Sequence, residues 1–387
     1  MKILFDHQIF TLQKYGGISR YFAQIYSNLP SNIEAEIAIK YSDNEYIKQT
    51  QINNNLRPIF KPVNHFLWGV KFPGKKVLFK YLKKNGSPYC PDSYELNKRL
   101  SIELLKKQDF DIFHPTYYDD YFLEYIGTKP FVLDIHDMIH EIYPEMLQDS
   151  ETSRRKAILA HKANHIIAVS EKTKADIIKI LGVPASKISV IYRGNTFDKP
   201  FYNSPILNLP KDYLLYIGDR NHFKNFLFFL SAIQPILKEN REMKLICTGN
   251  KFNENEKKYI DHLAIESQLI AMPVDDKRLF ELYSNAKAFI FPSYYEGFGI
   301  PILEALQTGC PTILSNASCF PEIAKDAALY FDPKSLHDIR TSIEKVLYND
   351  DIRKTLVKKG YERSKTFSWE NSVAKTTEIY QRICNAK

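Results

Sequence analysis

Disulfide frameworks, membrane spans and metal-finger patterns are all missing from this sequence. Only five cysteines, Cys90, Cys247, Cys310, Cys319 and Cys384, occur in 387 residues. Their number is odd and their spacing fits neither a disulfide framework nor a zinc site, so a reducing cytoplasm is the expected home. No apolar run approaches the ~18 residues that a membrane helix needs. The apolar stretch in the opening MKILFDHQIF is too short for a secretory signal. Internal repeats and low-complexity tracts are lacking too, which excludes solenoids and biased linkers. Acidic residues are outnumbered: 45 Asp and Glu stand against 53 Lys and Arg, a net charge of +8. That balance favours anionic partners such as nucleotides or phospholipids. Nucleic acid is not expected, because no zinc-finger or RNA-recognition signature accompanies the charge.

What remains is an ordinary globular composition in a chain long enough for two domains. The stretch Ala288–Pro311, AFIFPSYYEGFGIPILEALQTGCP, organises the reading. Ala288 to Phe291 is a short apolar run, expected as a buried parallel strand. Tyr294 to Gly299 makes a glycine-bearing loop. Ile300 to Gln307 makes a helix, with Pro301 in its first turn and Gly309 as its stop. Strand, glycine loop and helix in this order aim free backbone N–H groups and a positive helix end at an anion. Glu296 and Glu304 are slightly more than two helical turns apart, so both carboxylates can face one cleft and accept sugar hydroxyls. Taken alone, the stretch also fits a structural strand–turn–helix with two surface glutamates.

The run Glu296-Gly297-Phe298-Gly299-Ile300-Pro301 with Glu304-Ala305 resembles the Glu-x7-Glu motif of retaining glycosyltransferases of family 4, which have the GT-B fold. The resemblance implies an α/β architecture. Two Rossmann-like parallel-sheet domains face a central cleft, and a C-terminal helix crosses back to the first domain. The resemblance is strongest over 213–332, good over 131–145 and 165–195, and absent over about 44–100.

Lys2–Phe5 is a predicted strand, and Gly16-Gly17 opens a predicted helix that runs to about Leu29. The family carries a GG-x-x-R segment here that lines the cleft, which implies Gly16, Gly17 and, on the acceptor side, Arg20. A strand is expected over Glu36–Lys40. Phe131–Ile135 reads as a strand running into His136 and Asp137, and polar groups just past the ends of parallel strands are where such sheets bind ligands. The alternative at 136 is a buried structural histidine. The segment His136–Glu145 looks like family members that transfer mannose or related sugars in bacterial polysaccharide assembly. It implies that His136 faces the donor sugar and makes Asp137 a second acceptor-side candidate.

Residues 194–210 hold three prolines and no periodic pattern, and mark the domain boundary. The chain divides into 1–197 with a variable insert at about 44–100, a linker at 198–210, a nucleotide-side domain at 211–367 and a returning helix at 368–387. After the predicted strand Tyr213–Ile217 comes Gly218-Asp219-Arg220-Asn221-His222-Phe223-Lys224-Asn225, whose two cations suit a diphosphate. It is similar to the family's G-x-R…K-N pattern, implying Arg220 and Lys224 as phosphate contacts; a pair of solvated cations is the alternative. In relatives the loop after Leu269–Met272 borders the nucleotide base, which points to Met272 and Val274. His65–Lys84 mixes six lysines with aromatic and aliphatic residues. This suits an anionic membrane surface, or else a solvated helix packed on its own domain.

The implied reaction moves a hexose from a nucleotide diphosphate sugar to a hydroxyl of a saccharide or lipid-linked saccharide, with retention. Mannose from GDP-mannose is favoured by the resemblance around His136. His136, Glu296, Arg220 and Lys224 form the expected catalytic set. By resemblance Glu304 takes the ribose hydroxyls, Glu296 and the Phe298 and Gly299 amides take the donor sugar, Arg220, Lys224 and the Gly16–Gly17 amides take the diphosphate charge, and Gly297 and Ile300 are further donor-binding positions. No cofactor or metal is expected, because no Asp-x-Asp follows a strand in the nucleotide half. The expected location is cytoplasmic, with peripheral contact to the inner face of the membrane. The competing classes are a sugar-nucleotide epimerase or hydrolase of the same fold, a non-catalytic nucleotide-binding scaffold, and a phospholipid-surface protein built on the basic insert.

Overall fold

The computed structural model describes residues 1–50, 52, 55–60, 62–85, 91–147, 149–197, 209–220 and 222–385. Among these residues twelve strands alternate with helices, and every strand pairing among them is parallel. In the first half these are β1 (Lys2–Phe5), β2 (Glu34–Ile37), β3 (Ile112–His114), β4 (Val132–Ile135), β5 (His165–Ala168) and β6 (Ile188–Val190). They form two three-stranded sheets, β2-β1-β3 and β4-β5-β6. A parallel bridge between Phe113 and Phe131 joins them into one layer. The second half has β7 (Tyr213–Tyr216), β8 (Lys244–Thr248), β9 (Leu269–Met272), β10 (Ala288–Phe291), β11 (Thr312–Ser315) and β12 (Leu329–Phe331), in the order β12-β11-β10-β7-β8-β9. Central strands such as β4, β7 and β10 are buried at every position, which is why they read as continuous apolar runs rather than alternating ones.

Strand order reverses between β1 and β3 in one half and between β7 and β10 in the other. Ligands of open parallel sheets bind beyond the strand ends at such switch points. The two halves set these edges against each other, with the loops after β1, β4, β7 and β10 facing one cleft.

Most predicted elements are found within a residue or two of their expected bounds. The second strand is displaced to Glu34–Ile37 from the expected Glu36–Lys40, because its register is set by pairing with β1, Lys2 opposite Glu34 and Phe5 opposite Ile37. The insert at 44–100 is more regular than expected. It contains helices at Lys75–Lys84 and Ser93–Lys107, the second capped by Asp92, whose carboxylate accepts from the Glu95 amide at 2.9 Å. That cap and the acidic residue three positions on are a legible start signal. The proposed linker lies outside the described residues except for 209–210.

The last helix, Trp369–Asn385, returns to the first half. Val373, Ile379 and Tyr380 pack in one core with Ile3, Phe5 and Phe22. Trp369 Nε1 donates to the Asn195 carbonyl at 2.7 Å. Tyr380 reaches a buried polar chain: its hydroxyl lies 2.6 Å from His114 Nδ1, and His114 Nε2 lies 2.5 Å from Asp134 Oδ2. In the neutral ring, Nε2–H donates to the carboxylate and Nδ1 accepts from the tyrosine hydroxyl. Tyr380→Phe leaves that acceptor buried and unpaired, so stability should fall by about 1–3 kcal/mol in denaturant unfolding. An unchanged midpoint would show that the hydroxyl contributes nothing.

Candidate active site

A cleft of about 400 Å³ opens between the halves. From the first half Gly16, Gly17, Arg20, Tyr46, His136, Asp137 and Arg193 line it. From the second half Gly218, Lys224, Val274, Asp276 and the run Glu296–Pro301 with Glu304 line it.

Two helices start on this cleft from opposite sides, Gly17–Ser27 and Ile300–Thr308; their N-cap residues, Gly16 and Gly299, have no side chain to cap with, and Gln13 Oε1 accepts from the Ser19 amide of the first helix at 3.2 Å. Their first amides and positive dipole ends form an anion-binding arrangement. Gly299 sits at φ +85°, a left-handed conformation that glycine adopts without strain. Gly297 has no room for a side chain, because a Cβ would overlap the His136 carbonyl oxygen. A Cβ on the face of Gly17 would come 2.6 Å from Ile300 Cδ1. The halves therefore meet backbone to backbone. The Gly297 carbonyl accepts from Ser170 Oγ at 2.7 Å and Thr173 Oγ1 at 3.2 Å. The Glu322 carboxylate accepts from the Glu171 and Lys172 amides at 2.7 and 3.1 Å, capping a first-half helix from the second half.

The charges in the cleft are paired. Lys224 Nζ contacts Glu296 Oε1, which also accepts from Ser293 Oγ at 3.0 Å. Arg20 crosses the cleft to Asp276 at 2.6 Å, lies over the Tyr46 ring, and comes within 3.9 Å of Glu304. Glu304 is 5% exposed and accepts from Tyr283 Oη at 3.0 Å. Burial pushes its carboxyl above the usual range, with Arg20 and the Tyr283 hydroxyl opposing. His136 is buried, and its Nδ1 lies 2.7 Å from Arg193 Nη2. Burial, then the Arg193 charge, holds its ring well below the ordinary histidine value.

Most of the residues expected at the site meet here: Gly16, Gly17, His136, Asp137, Lys224, Val274, Glu296 to Ile300 and Glu304 all line the cleft. Two expectations are corrected. Arg220 does not reach the cleft. Its Nε donates to Glu256 at 2.9 Å, its Nη2 donates to the Asn250 and Lys251 carbonyls, and the guanidinium packs on Phe226 and Phe252. The carboxylate of the Glu254–Leu263 helix offers a planar fork a better partner than an open cleft. Met272 packs against the second-half core and is not among the residues that line the cleft, whereas Val274 is. Arg20 lines the cleft as expected and there pairs with Asp276 and approaches Glu304.

Arg193 and Asp276 were missed. Arg193 lies just past β6 as His136 lies just past β4, so the strand-end rule was available for both. Asp276 hides in the first turn of an ordinary helix, behind the capping Asp275. Among the described residues no cluster of His, Cys, Asp and Glu is placed to hold a metal ion. None of their helices is long and apolar enough to cross a membrane.

Glu304 carries a pH signature. A folded-state value above the unfolded one means that its contribution to stability is best when protonated. That contribution declines as the pH rises from the usual carboxyl range through the folded value. Glu304→Gln should therefore raise the melting temperature of the donor-free chain at pH 7 by roughly 2–4 °C, as about 1 kcal/mol does in domains of this size. The gain should shrink toward about pH 4. A variant less stable than its parent at pH 7 would overturn this reading.

Two family models match the chain: Glycosyltransferase Family 4 over residues 15–196 and Glycosyl transferases group 1 over 201–363. The O-antigen chain mannosyltransferase B of Escherichia coli is 28% identical over 388 residues, covering 95% of this chain and 96% of that one. The GDP-mannose:cellobiosyl-diphosphopolyprenol alpha-mannosyltransferase of Xanthomonas oryzae pv. oryzae is 27% identical over 221 residues, covering 54% of this chain and 57% of that one. The crystal structure of Anabaena Alr3699/HepE in complex with UDP and glucose superposes with a TM-score of 0.73 at 16% identity, over 99% of this chain and 100% of that one, a likeness of fold. The two family matches together take in most of the chain and meet at the boundary between its halves. The chain belongs to the family 4 glycosyltransferases of GT-B fold, and it is a glycosyltransferase.

Proposed function

We propose that the chain transfers mannose from GDP-mannose, with retention of configuration, to a hydroxyl of a saccharide or lipid-linked saccharide in surface polysaccharide synthesis. The observation that carries this reading is the cleft, where Lys224, Glu296, Glu304 and two glycine-headed helix N-termini converge from both halves. The choice of mannose is supported by the relatives, whose names specify mannosyl transfer.

Breaking the bond to C1 puts negative charge on the leaving diphosphate, and stabilising that charge is the main catalytic task. Lys224 and the amides at Gly17 and Ile300 are suited to it. Glu304 accepts from the ribose hydroxyls, with Arg20 and Tyr283 holding its carboxylate. Glu296, freed from Lys224 when the phosphate takes the lysine, accepts from the sugar hydroxyls. His136 meets the sugar from the first half. The acceptor's proton goes to the leaving phosphate. Arg220 acts by bracing the 249–256 loop behind the phosphate site.

The test is binding and turnover of GDP, UDP and ADP with their hexose conjugates. GDP-mannose should bind, and Lys224→Ala should weaken it by about 1.5–3 kcal/mol, the loss of a charge-assisted contact. A folded chain that binds none of them overturns the transferase reading; preference for a UDP-hexose overturns the mannose reading. Donor loss at one rate with and without acceptor favours the hydrolase or epimerase class.

The insert supports a peripheral membrane location. Phe66 and Phe79 make a small core of their own, while Val70, Val77 and Tyr81 stand 60%, 72% and 65% exposed among the lysines. Basic residues beside exposed apolar ones suit an anionic lipid surface. Vesicles of phosphatidylglycerol should sediment the chain, and added salt or Val77→Asp with Tyr81→Asp should release it. Indifference to such vesicles overturns this location.

A further inference from the structure

Arg193 follows β6 and is 5% exposed in the cleft wall. Its Nη2 lies 2.7 Å from His136 Nδ1 and its Nη1 donates to the Gly17 carbonyl at 3.1 Å, while Nε has no partner among the described residues. A guanidinium has donors and no acceptor. In this contact Nδ1 is therefore the acceptor, and the ring's single proton is on Nε2. Nε2 itself has no partner among the described residues and is left as the ring's donor to an occupant of the cleft. An imidazolium cannot form this bond, since both of its nitrogens carry hydrogen.

The geometry points to Arg193 as a positioning residue that holds His136 as a neutral Nε2–H donor to a hydroxyl of the bound sugar. The sugar as target rests on the transferase reading above; the tautomer does not. His136 then gives a hydrogen bond and no proton, in keeping with a mechanism in which the leaving phosphate accepts the proton from the acceptor.

Burial and the neighbouring positive charges favour the neutral ring. Lys156 of the Ser150–Lys162 helix adds positive charge. The Tyr21 and Phe22 rings pack edge-on, and Tyr118 Oη accepts from the His136 amide at 3.1 Å. On its own loop Asp137 is the nearby carboxylate, half tied by Lys156 at 3.8 Å. From the second half the Gly297 backbone packs on the His136 carbonyl, next to Glu296. The Arg193 charge lies 5.1 Å over the Tyr21 ring and is countered by Asp134.

The experiment is nitrogen-15 NMR of histidine-labelled full chain, with the His136 signals assigned by their loss in His136→Gln. The wild type should show an Nε2–H tautomer that does not titrate between about pH 5.5 and 8, the range in which an ordinary histidine changes charge. Arg193→Met should give mixed tautomers or a titration, and should lower kcat by about tenfold to a hundredfold with little change in donor KM, the scale of a lost orienting contact. Arg193→Lys keeps the charge without the fork, and serves if the methionine variant fails to fold. It should show the same loss of tautomer order. An Nδ1–H ring or a titration near pH 6.5 in the wild type overturns the proposal. So does an Nε2–H ring that persists in both variants. A tautomer that responds to Arg193 in a chain that transfers no sugar overturns the transferase reading and leaves the role of Arg193 standing.

Discussion

The seating of the Gly297 backbone on the His136 carbonyl is the contact on which the cleft depends. It brings the loop after β10 against the loop after β4, and so sets two switch points face to face. Around it the joint carries polar contacts, Ser170 and Thr173 on the Gly297 carbonyl, Glu322 on a helix N-terminus, and Tyr295 Oη on Asp176 at 2.7 Å, beside apolar ones in which Phe223 and Tyr295 pack with the first-half core and Val169 with the second-half core. Each such hydrogen bond contributes only about 0.5–1.5 kcal/mol net, and with the packing they hold the halves in register. A substrate that must enter and leave between domains needs an interface of that kind.

Within the joint, the donor-free cleft balances its own charge. Lys224 lies on Glu296, and Arg20 on Asp276 and near Glu304. An unpaired ion in so enclosed a place would cost several kcal/mol. Under the proposed function, a nucleotide diphosphate sugar would replace these pairs with matching ones: phosphate for carboxylate at Lys224, sugar hydroxyls for lysine at Glu296. That exchange would couple the two ends of the donor. A free diphosphate would take the lysine but leave Glu296 without hydroxyl donors, so the intact donor would be the better-matched occupant.

Local signals carried most of the fold. Buried parallel strands announce themselves as apolar runs, and glycine, proline and capping residues mark the helix ends, so β8, β9 and β10 fall at their expected bounds. The Glu296–Glu304 stretch was legible for the same reason: strand, loop and helix are contiguous, and local geometry alone brings both carboxylates to one side. What the sequence hid depends on distant partners. Arg220 sits at the position expected of a phosphate contact, yet Glu256, 36 residues on, takes its guanidinium. The second strand shifted because β1 sets its register. Arg193 has a strand-end address like that of His136, but nothing nearby in sequence shows that the two side chains meet.

The meeting of Arg193 and His136 also explains why the last helix belongs to the first half. A buried guanidinium costs several kcal/mol unless its charge is answered. The Asp134 charge is among those that counter it. His114 holds Asp134 by a bond at 2.5 Å, and Tyr380 holds His114 at 2.6 Å. The line of hydrogen bonds thus runs from the C-terminal helix through β3 to Asp134 on β4, whose charge acts on Arg193 through space. Apolar packing alone would let that helix be replaced by any helix of similar shape. The tyrosine makes the replacement costly, because without it an acceptor in the line that compensates Arg193 is buried and unpaired. The helix therefore contributes to the electrostatics of the site as well as to the core.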